Sequence, residues 1–209
     1  MIKQSLKAND NPRLILASSS AYRKELLGRL QLPFTSMVPD IDETPRHLET
    51  PTTTALRLAH QKAHAIAAQL DQPNDALIIG SDQVATLDDI QIGKPGNHEN
   101  ALRQLQLMRG REVVFHTALC LLDTRPTAAH HLQIQDITTV VCFRDLSDAE
   151  LDAYLRIEQP YDCAGSAKNE ALGIAILSSI KSDDPTALTG LPLIALTSML
   201  RKAGVLFFK

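Results

Sequence analysis

The chain has 209 residues, of which 44% are hydrophobic and 22% charged, a composition typical of a globular protein with a sizeable core. Its formal net charge of −3 argues against broad nucleic-acid binding, which requires a basic face. No apolar run approaches the ~20 residues of a membrane span, and the polar stretch 1–11 lacks the apolar core of a secretory signal. The cysteines, Cys120, Cys142 and Cys163, have no C-x-x-C spacing, which predicts reduced thiols in a cytoplasmic protein.

The first predicted element is a strand that ends in three serines. Arg13–Ala17 is an apolar run of strand type, and Ser18–Ser20 leads into an amphipathic helix over Ala21–Leu30. Ser20 is a suitable N-cap, and Arg23 lies in the first turn of the helix. Backbone N–H groups, hydroxyls and a guanidinium at a helix start favour an anion such as a phosphate. The alternative is that Ser20 merely caps the helix and that Arg23 is solvated.

A second strand over Phe34–Val38 is followed by a polar, proline-containing loop over Pro39–Pro51. The clearest helix comes next, over Thr53–Leu70, where apolar residues recur at a spacing of three and four. Lys62 lies at the edge of that apolar face, where a lysine either extends to solvent or reaches into a cleft. Glu43, judged alone, is an exposed carboxylate of the loop.

Another apolar strand, Ala76–Gly80, leads directly to a carboxylate, Asp82. Mg²⁺ in proteins is typically held by one or two carboxylates together with substrate phosphates, so Asp82 is a candidate metal ligand or base. The simpler alternative is a turn aspartate that bonds its own backbone. Lys94 follows in a stiff glycine–lysine–proline turn and adds a cation.

The second half of the chain contains two long strands between helices. The predicted elements are a helix that Asn97 caps and that ends at Met108, strands Glu112–Leu122 and His131–Phe143, a helix from Ser147 through Arg156, short mixed pieces over 165–180, and a last helix between Pro192 and Gly204. The two adjacent strands suggest an antiparallel hairpin. Because no linker or repeat divides the chain, we expect a polar extension over 1–12 and one α/β domain over 13–209.

Six motifs, in the right order from about Arg13 to Gly204, resemble the Maf family of nucleoside triphosphate pyrophosphatases. They are Leu-Ala-Ser-Ser-Ser-x-x-Arg-Lys-x-Leu-Leu from Leu16, Ile-Asp-Glu-Thr from Ile41, Leu-Ala-x-x-Lys-Ala from Leu58, Gly-Ser-Asp-Gln-Val from Gly80, Gly-Lys-Pro from Gly93 and Cys-Ala-Gly-Ser from Cys163. Each motif alone is weak evidence, but the set is highly specific. One departure is Ala21, where the family usually has a proline that only pre-sets the helix start.

The resemblance implies an elongated mixed β-sheet flanked by helices, with two lobes around a central cleft, like the inosine triphosphate pyrophosphatases. It implies hydrolysis of a nucleoside triphosphate to the monophosphate and pyrophosphate, with Mg²⁺ or Mn²⁺. By position, Asp82 matches the catalytic acidic residue, and Glu43 matches the acidic residue associated with metal or water. Four positions match phosphate-contacting residues: Ser18, Arg23, Lys62 and Lys94. The expected partner is a nucleotide, without nucleic acid or membrane, and a homodimer is common among relatives.

Within the family, the chain looks like the branch that acts on 7-methyl-GTP, a nucleotide house-cleaning activity. The specificity positions are then Tyr22, Gln83 and Glu170. An aromatic face suits the cationic 7-methylguanine ring, and a carboxylate can accept its N1–H and N2–H. The branch associated with dTTP and UTP has threonine and glutamine in place of Gln83 and Glu170. Two alternatives stay open: a dTTP/UTP pyrophosphatase, and a nucleotide-binding regulator of septum formation without significant catalysis.

Overall fold

The computed structural model describes residues 11–71, 75–88 and 90–208. The strands in these ranges are Arg13–Ala17 (β1), Phe34–Met37 (β2), Ala76–Leu87 (β3), Ile90–Ile92 (β4), Glu112–Asp123 (β5), Leu132–Phe143 (β6) and Leu177–Ser182 (β7). The α-helices are Ala21–Gly28 (α1), Pro51–Ala67 (α2), His98–Met108 (α3), Asp148–Glu158 (α4) and Leu193–Lys202 (α5). Short 3-10 helices cover Ala164–Ser166 and Leu172–Ile176. Most of the predicted extension, residues 1–10, lies outside the described residues.

All seven strands belong to one mixed sheet with the order β2-β1-β3-β5-β6-β7, and β4 pairs with the end of β3. β1 pairs in parallel with both β2 and β3, because α1 and α2 provide the crossover connections that parallel pairing needs. β5, β6 and β7 add antiparallel strands on the other side of β3. This mixed sheet flanked by helices confirms the expected α/β fold, including the antiparallel hairpin.

β3 is the central strand and is buried on both faces. Leu77 and Ile79 pack with α1 and α5, whereas Ala76 and Ile78 pack with α2, since successive strand residues face opposite sides of a sheet. A further apolar cluster places α3 and α4 against the other end of β3, β5 and β6. β3 therefore joins the parallel and antiparallel halves.

The predicted element bounds agree with the structure to within a few residues. α1 ends at Gly28 rather than at Leu30, and α2 covers Pro51–Ala67 rather than Thr53–Leu70. The N-terminal shift of α2 arises because Thr50 caps the helix, accepting the N–H of Thr53. None of the helices in the described ranges is long and apolar enough to cross a membrane.

Two details differ from the sequence-based expectations. β4 has only three residues, too few to show a strand period. Pro192 occupies the N-cap of α5, one position before the predicted first helical turn, and it supplies no side-chain cap. The caps predicted for the other two helices are confirmed: Asn97 accepts the N–H of Asn100 at 2.9 Å, and Ser147 forms a capping box with Glu150.

Candidate functional site

One cavity of about 670 Å³ is lined by all nine residues that the sequence suggested for the site. These residues come from α1, α2, β3 and four loops, and they are Ser18, Tyr22, Arg23, Glu43, Lys62, Asp82, Gln83, Lys94 and Glu170. Their individual roles stay predictions, but their convergence makes this cavity the candidate functional site.

The serine turn after β1 has a fixed geometry. Ser20 caps α1, accepting the N–H of Arg23 at 3.4 Å, which confirms its predicted role. Ser18 is buried, and its Oγ accepts the N–H of Ser20 at 3.1 Å. Ser36 Oγ donates to the carbonyl oxygen of Ser18 at 2.7 Å. Because the Ser18 hydroxyl acts as an acceptor here, its own hydrogen is available for a ligand oxygen.

The Arg23 guanidinium is anchored at one nitrogen. Its Nε donates to the carbonyl oxygen of Gly190 at 2.8 Å, while its two terminal nitrogens form no hydrogen bond with the described residues. Burial lowers the pKa of Arg23, and the nearby Asp82 and Glu43 carboxylates act in the opposite direction. Gly190 has a φ of +106°, and a Cβ there would lie 3.3 Å from Arg23 Nε. Glycine therefore suits this position for both backbone conformation and space.

Lys62 bridges the two carboxylates of the site. Its Nζ lies 2.6 Å from Asp82 Oδ1 and 2.8 Å from Glu43 Oε1. The Lys62 and Asp82 side chains are only 7% and 10% exposed, whereas Glu43 is 56% exposed. Burial raises the pKa of Glu43, but the hydrogen bond and charge of Lys62, together with Lys94 and Arg23, hold the pKa below its ordinary value. The sequence indicated that Lys62 could reach into a cleft, but it did not predict an ion pair with both carboxylates.

The close approach of α2 to β3 makes that ion pair possible. A Cβ at Gly80 would clash with the carbonyl oxygen of Ala59, so only glycine allows α2 to pack this closely on the strand. Lys62 lies one turn beyond Ala59, and Asp82 lies two residues beyond Gly80. The backbone contact thus brings the ammonium group within reach of the carboxylate.

The carboxylates fit a divalent cation that prefers oxygen ligands. Asp82 Oδ2 and Glu43 Oε2 accept no hydrogen bond from the described residues, so one oxygen of each group is available. No group of three or more His, Cys, Asp or Glu side chains suited to a metal occurs in the described ranges. Two carboxylates, completed by water and phosphate oxygens, match the ligands that Mg²⁺ commonly uses.

The loop that carries Lys94 is held on both sides by hydrogen bonds. Gln104 Nε2 donates to Gly93 O and Asn100 Nδ2 donates to Pro95 O, each at 3.0 Å. The N–H of Gly96 donates to Tyr161 O at 3.0 Å. α3 and the segment after α4 therefore fix the base of Lys94, and its amine makes no ion pair with the described residues.

Tyr22 lies in an acidic part of the cavity. Burial raises the pKa of Tyr22 to about 12, and the neighbouring Cys163, Asp162 and Glu170 act in the same direction. Burial also raises the pKa of Glu170. Neither Asp162 nor Glu170 forms an ion pair among the described residues, and both line the cavity. Asp162 was not among the predicted site residues, although it directly precedes the Cys-Ala-Gly-Ser motif.

Gln83 makes contacts that its predicted role did not include. Its Nε2 lies 2.9 Å from Thr117 Oγ1, 3.1 Å from Ala187 O and 3.0 Å from Leu188 O. Both carbonyl oxygens are acceptors only, so the atom facing them is the amide nitrogen. The amide nitrogen is thus hydrogen-bonded within the protein, whereas the Gln83 Oε1 acceptor has no hydrogen-bond partner among the described residues.

Comparison with known proteins places the chain in a family. A family model for Maf-like proteins matches residues 13–203. A 7-methyl-GTP pyrophosphatase of Burkholderia thailandensis is 64% identical over 201 residues, covering 96% of this chain and 92% of that protein. A protein of the same name from Cupriavidus metallidurans is 65% identical over 199 residues, covering 95% of this chain and 97% of the relative.

A solved structure of a HAM1 protein from Coxiella burnetii shares the fold. It aligns with a TM-score of 0.51 and 17% sequence identity, covering 92% of this chain and 100% of that chain. The match of the family model over most of the sequence agrees with the six motifs and with the cavity in which they meet. The chain belongs to the family of Maf-like proteins.

Proposed function

We propose that this protein hydrolyses a nucleoside triphosphate, 7-methyl-GTP, to the nucleoside monophosphate and pyrophosphate. The proposal rests on one observation: three cationic side chains and two carboxylates meet in one cavity. The same cavity has an acidic wall, formed by Asp162 and Glu170, beside Tyr22. Relatives named 7-methyl-GTP pyrophosphatase are 64% and 65% identical to this chain, which supports the same activity here. Such an activity would remove a modified nucleotide before its incorporation into RNA.

The triphosphate binds at the start of α1. The terminal nitrogens of Arg23 and the ammonium of Lys94 contact phosphate oxygens, and the Ser18 hydroxyl donates a further hydrogen bond. The N–H groups at the start of α1 add partial positive charge where an anion is most stable. These groups neutralise the substrate and orient its phosphates for attack at the α-phosphorus.

The carboxylates Glu43 and Asp82 would hold a divalent cation, Mg²⁺ or Mn²⁺. Such a cation, when bound, neutralises phosphate charge and lowers the pKa of a bound water. Asp82 orients the attacking water and accepts its proton. The water oxygen bonds to the α-phosphorus while the bond to the bridging oxygen breaks, and the electron pair leaves with pyrophosphate. Arg23, Lys62 and Lys94 stabilise the charge on that leaving group.

The acidic wall suits a cationic nucleobase. Methylation at N7 gives guanine a positive charge, and a cation over the Tyr22 ring is worth ~0.5–2 kcal/mol. The Glu170 carboxylate accepts N1–H and N2–H of the base, and a positive partner offsets the burial that raises the pKa of Glu170. Asp162 adds a second carboxylate to the same wall. Neutral uracil or thymine offers no positive charge to Tyr22 and only one ring donor, N3–H, to the Glu170 carboxylate.

Pyrophosphate release from 7-methyl-GTP, GTP, UTP and dTTP, measured with Mg²⁺, with Mn²⁺ and with a chelator, tests the proposal. We expect the fastest release with 7-methyl-GTP, loss of release with the chelator, and loss in Asp82→Asn. Asp183→Asn, a change in an exposed aspartate outside the cavity, is the matched control and should behave as wild type. Preference for UTP or dTTP would refute the substrate assignment, and nucleotide binding without any release would favour the regulatory alternative.

A further inference from the structure

A buried hydroxyl group lies behind one wall of the cavity and has no place in the proposed reaction. Thr117 on β5 has no exposed surface and does not line the cavity. Its Oγ1 donates to Ala187 O at 3.0 Å and accepts from Gln83 Nε2 at 2.9 Å. One hydroxyl thus contacts both a cavity residue and the segment that follows β7.

Thr117 and Gln83 hold the same stretch of backbone. Gln83 Nε2 lies 3.1 Å from Ala187 O, the oxygen that also accepts from Thr117, and 3.0 Å from Leu188 O. A single backbone oxygen therefore has two side-chain donors from neighbouring strands, β3 and β5. We call the segment Ala187–Gly190 the wall segment, since Leu188, Thr189 and Gly190 line the cavity.

The wall segment contacts both parts of the site. Its last oxygen, Gly190 O, accepts from Arg23 Nε at 2.8 Å and from Ser81 Oγ at 2.9 Å. Thr189 Oγ1 accepts from Asn169 Nδ2 at 3.3 Å, and Asn169 is the chain neighbour of Glu170. A shift of the wall segment would consequently change the surroundings of both Arg23 and Glu170.

We propose that Thr117 is a positioning residue that fixes the wall segment and thereby sets nucleobase selectivity without touching the substrate. The inference deepens the proposed function and rests on it. It also accounts for the position of Gln83, whose amide nitrogen holds the wall segment instead of facing a ligand. Substitutions at Gln83 would then change nucleobase selectivity by shifting the wall segment.

Thr86 provides a matched comparison within the same sheet. Its side chain is also buried, and its Oγ1 donates to a strand carbonyl, Val114 O, at 3.3 Å. Thr86 forms no hydrogen bond with the wall segment and does not line the cavity. Thr117→Val and Thr86→Val thus remove the same hydroxyl group from the same kind of strand site, and only the first one should affect the wall.

The first arm of the test measures deuterium uptake by peptides that cover residues 184–191 in the full-length protein. We expect Thr117→Val to speed exchange in this segment by about fivefold, the effect of one lost hydrogen bond. Thr117→Ser, which retains the hydroxyl, should restore wild-type exchange, and Thr86→Val should leave it unchanged. If Thr117→Val fails to fold, Gln83→Met removes a donor to Ala187 O and must speed the same exchange. Unchanged exchange would overturn the proposal.

The second arm measures the ratio of kcat/KM for 7-methyl-GTP to kcat/KM for GTP. We expect Thr117→Val to lower this ratio by about fivefold, equivalent to one lost hydrogen bond, while Thr117→Ser retains it. An unchanged ratio, or an equal fall in Thr86→Val, would overturn the selectivity role. A wild-type protein that releases no pyrophosphate from either nucleotide would instead refute the proposed function, and the exchange arm would still decide whether Thr117 fixes the wall.

Discussion

The charge of Lys62 should affect both the stability of the fold and the proposed reaction. It is buried between two carboxylates, so its removal leaves the equally buried Asp82 without compensation. We predict that Lys62→Met lowers the free energy of unfolding by about 3–5 kcal/mol, as for other broken buried ion pairs. Glu43→Gln should cost less than about 1 kcal/mol, because the Glu43 side chain is mostly exposed. Urea unfolding followed by circular dichroism measures both values.

Lys24→Met is the control for this comparison, since Lys24 is an exposed lysine in α1 that makes no ion pair with the described residues. Its unfolding free energy should stay within ~0.5 kcal/mol of wild type. If Lys62→Met were no less stable than Lys24→Met, the buried ion pair would contribute nothing to folding. Pyrophosphate release should fall in Lys62→Met and not in Lys24→Met.

The loop that carries Glu43 is attached to α2 by Arg57. Arg57 Nε lies 2.5 Å from Glu49 Oε1, and another of its nitrogens donates to Thr44 O, next to Glu43, at 3.1 Å. The hydrogen bond from Arg57 lowers the pKa of Glu49 to about 2, despite the opposing effect of burial. The same carboxylate has an ordinary pKa of 4.5 in the unfolded chain. Ionised Glu49 therefore stabilises the folded state.

This pKa difference predicts a loss of stability in acid. The contribution of Glu49 is fully present above its unfolded pKa and declines as the pH falls toward its folded pKa of about 2. We expect urea midpoints measured between these two pH values to fall less steeply in Glu49→Gln than in wild type. Glu43, whose pKa is also lowered, should add to the wild-type slope. Equal slopes in the two proteins would contradict the assignment.

At the level of elements, α5 is capped by the side chain of Asp184, which precedes the N-cap position of the helix. Asp184 is buried, and its Oδ2 accepts the N–H groups of Ile194 and Ala195 at 2.7 and 3.1 Å. Its Oδ1 accepts from the N–H and hydroxyl of Thr186 at 3.1 and 2.8 Å. We predict that Asp184→Ala lowers the free energy of unfolding by about 2 kcal/mol, the upper end of the range for a lost helix cap. Thermal and urea unfolding measure the change.

Asp183→Ala is the matched control, because Asp183 is the exposed neighbour of Asp184 and accepts no hydrogen bond from a helix N–H group in the described ranges. It should unfold as wild type does. Asp184→Ala should also reduce pyrophosphate release, since Asp184 fixes the turn that leads into the wall segment. Equal stability of the two variants would show that α5 needs no cap from Asp184.

Elements with local signals could be predicted from the sequence. Arg13–Ala17 is an uninterrupted apolar run, and Asn97 and Ser147 are caps next to the helices they begin. The Asp184 cap was not predictable in this way, because its two helix donors lie ten and eleven positions later, beyond a turn. β4 is equally hidden, since its pairing with β3 rather than its composition makes it a strand.

At the candidate site, likewise, the sequence indicated which residues take part but not which contacts they make. The motifs and the branch comparison pointed to nine residues that meet in the cavity, because both depend on residue identity. They could not show that Lys62 bonds two carboxylates, which depends on the packing of α2 against Gly80. Nor could they show that Gln83 faces the wall segment, because Ala187 lies 104 positions away in the chain. Such contacts follow from tertiary packing.

At the scale of the whole molecule, the cavity draws on both halves of the sheet. Ser18 and Arg23 follow β1 in the parallel half, whereas Phe115 and Phe143 line the cavity from β5 and β6 in the antiparallel half. The loop that carries Glu43 and the wall segment complete the boundary. A nucleotide that contacts all of these groups links elements far apart in the chain, so its binding should stabilise the entire fold.

An α,β-methylene analogue of 7-methyl-GTP, which cannot release pyrophosphate, allows this stabilisation to be measured without turnover. At about 100 times its Kd, a ligand that binds only the folded state adds about 2.7 kcal/mol, which for a chain of this size raises Tm by about 5–10 °C. We expect this rise with Mg²⁺ present, a smaller rise with a chelator, and a smaller rise still in Arg23→Ala, which lacks the guanidinium at the start of α1. The same analogue of UTP should raise Tm less, because it offers no cationic ring to Tyr22 and Glu170. If the analogue raised Tm equally with Mg²⁺ and with the chelator, Glu43 and Asp82 would bind no metal with the nucleotide. If the two analogues raised Tm equally, the acidic wall would not select the base.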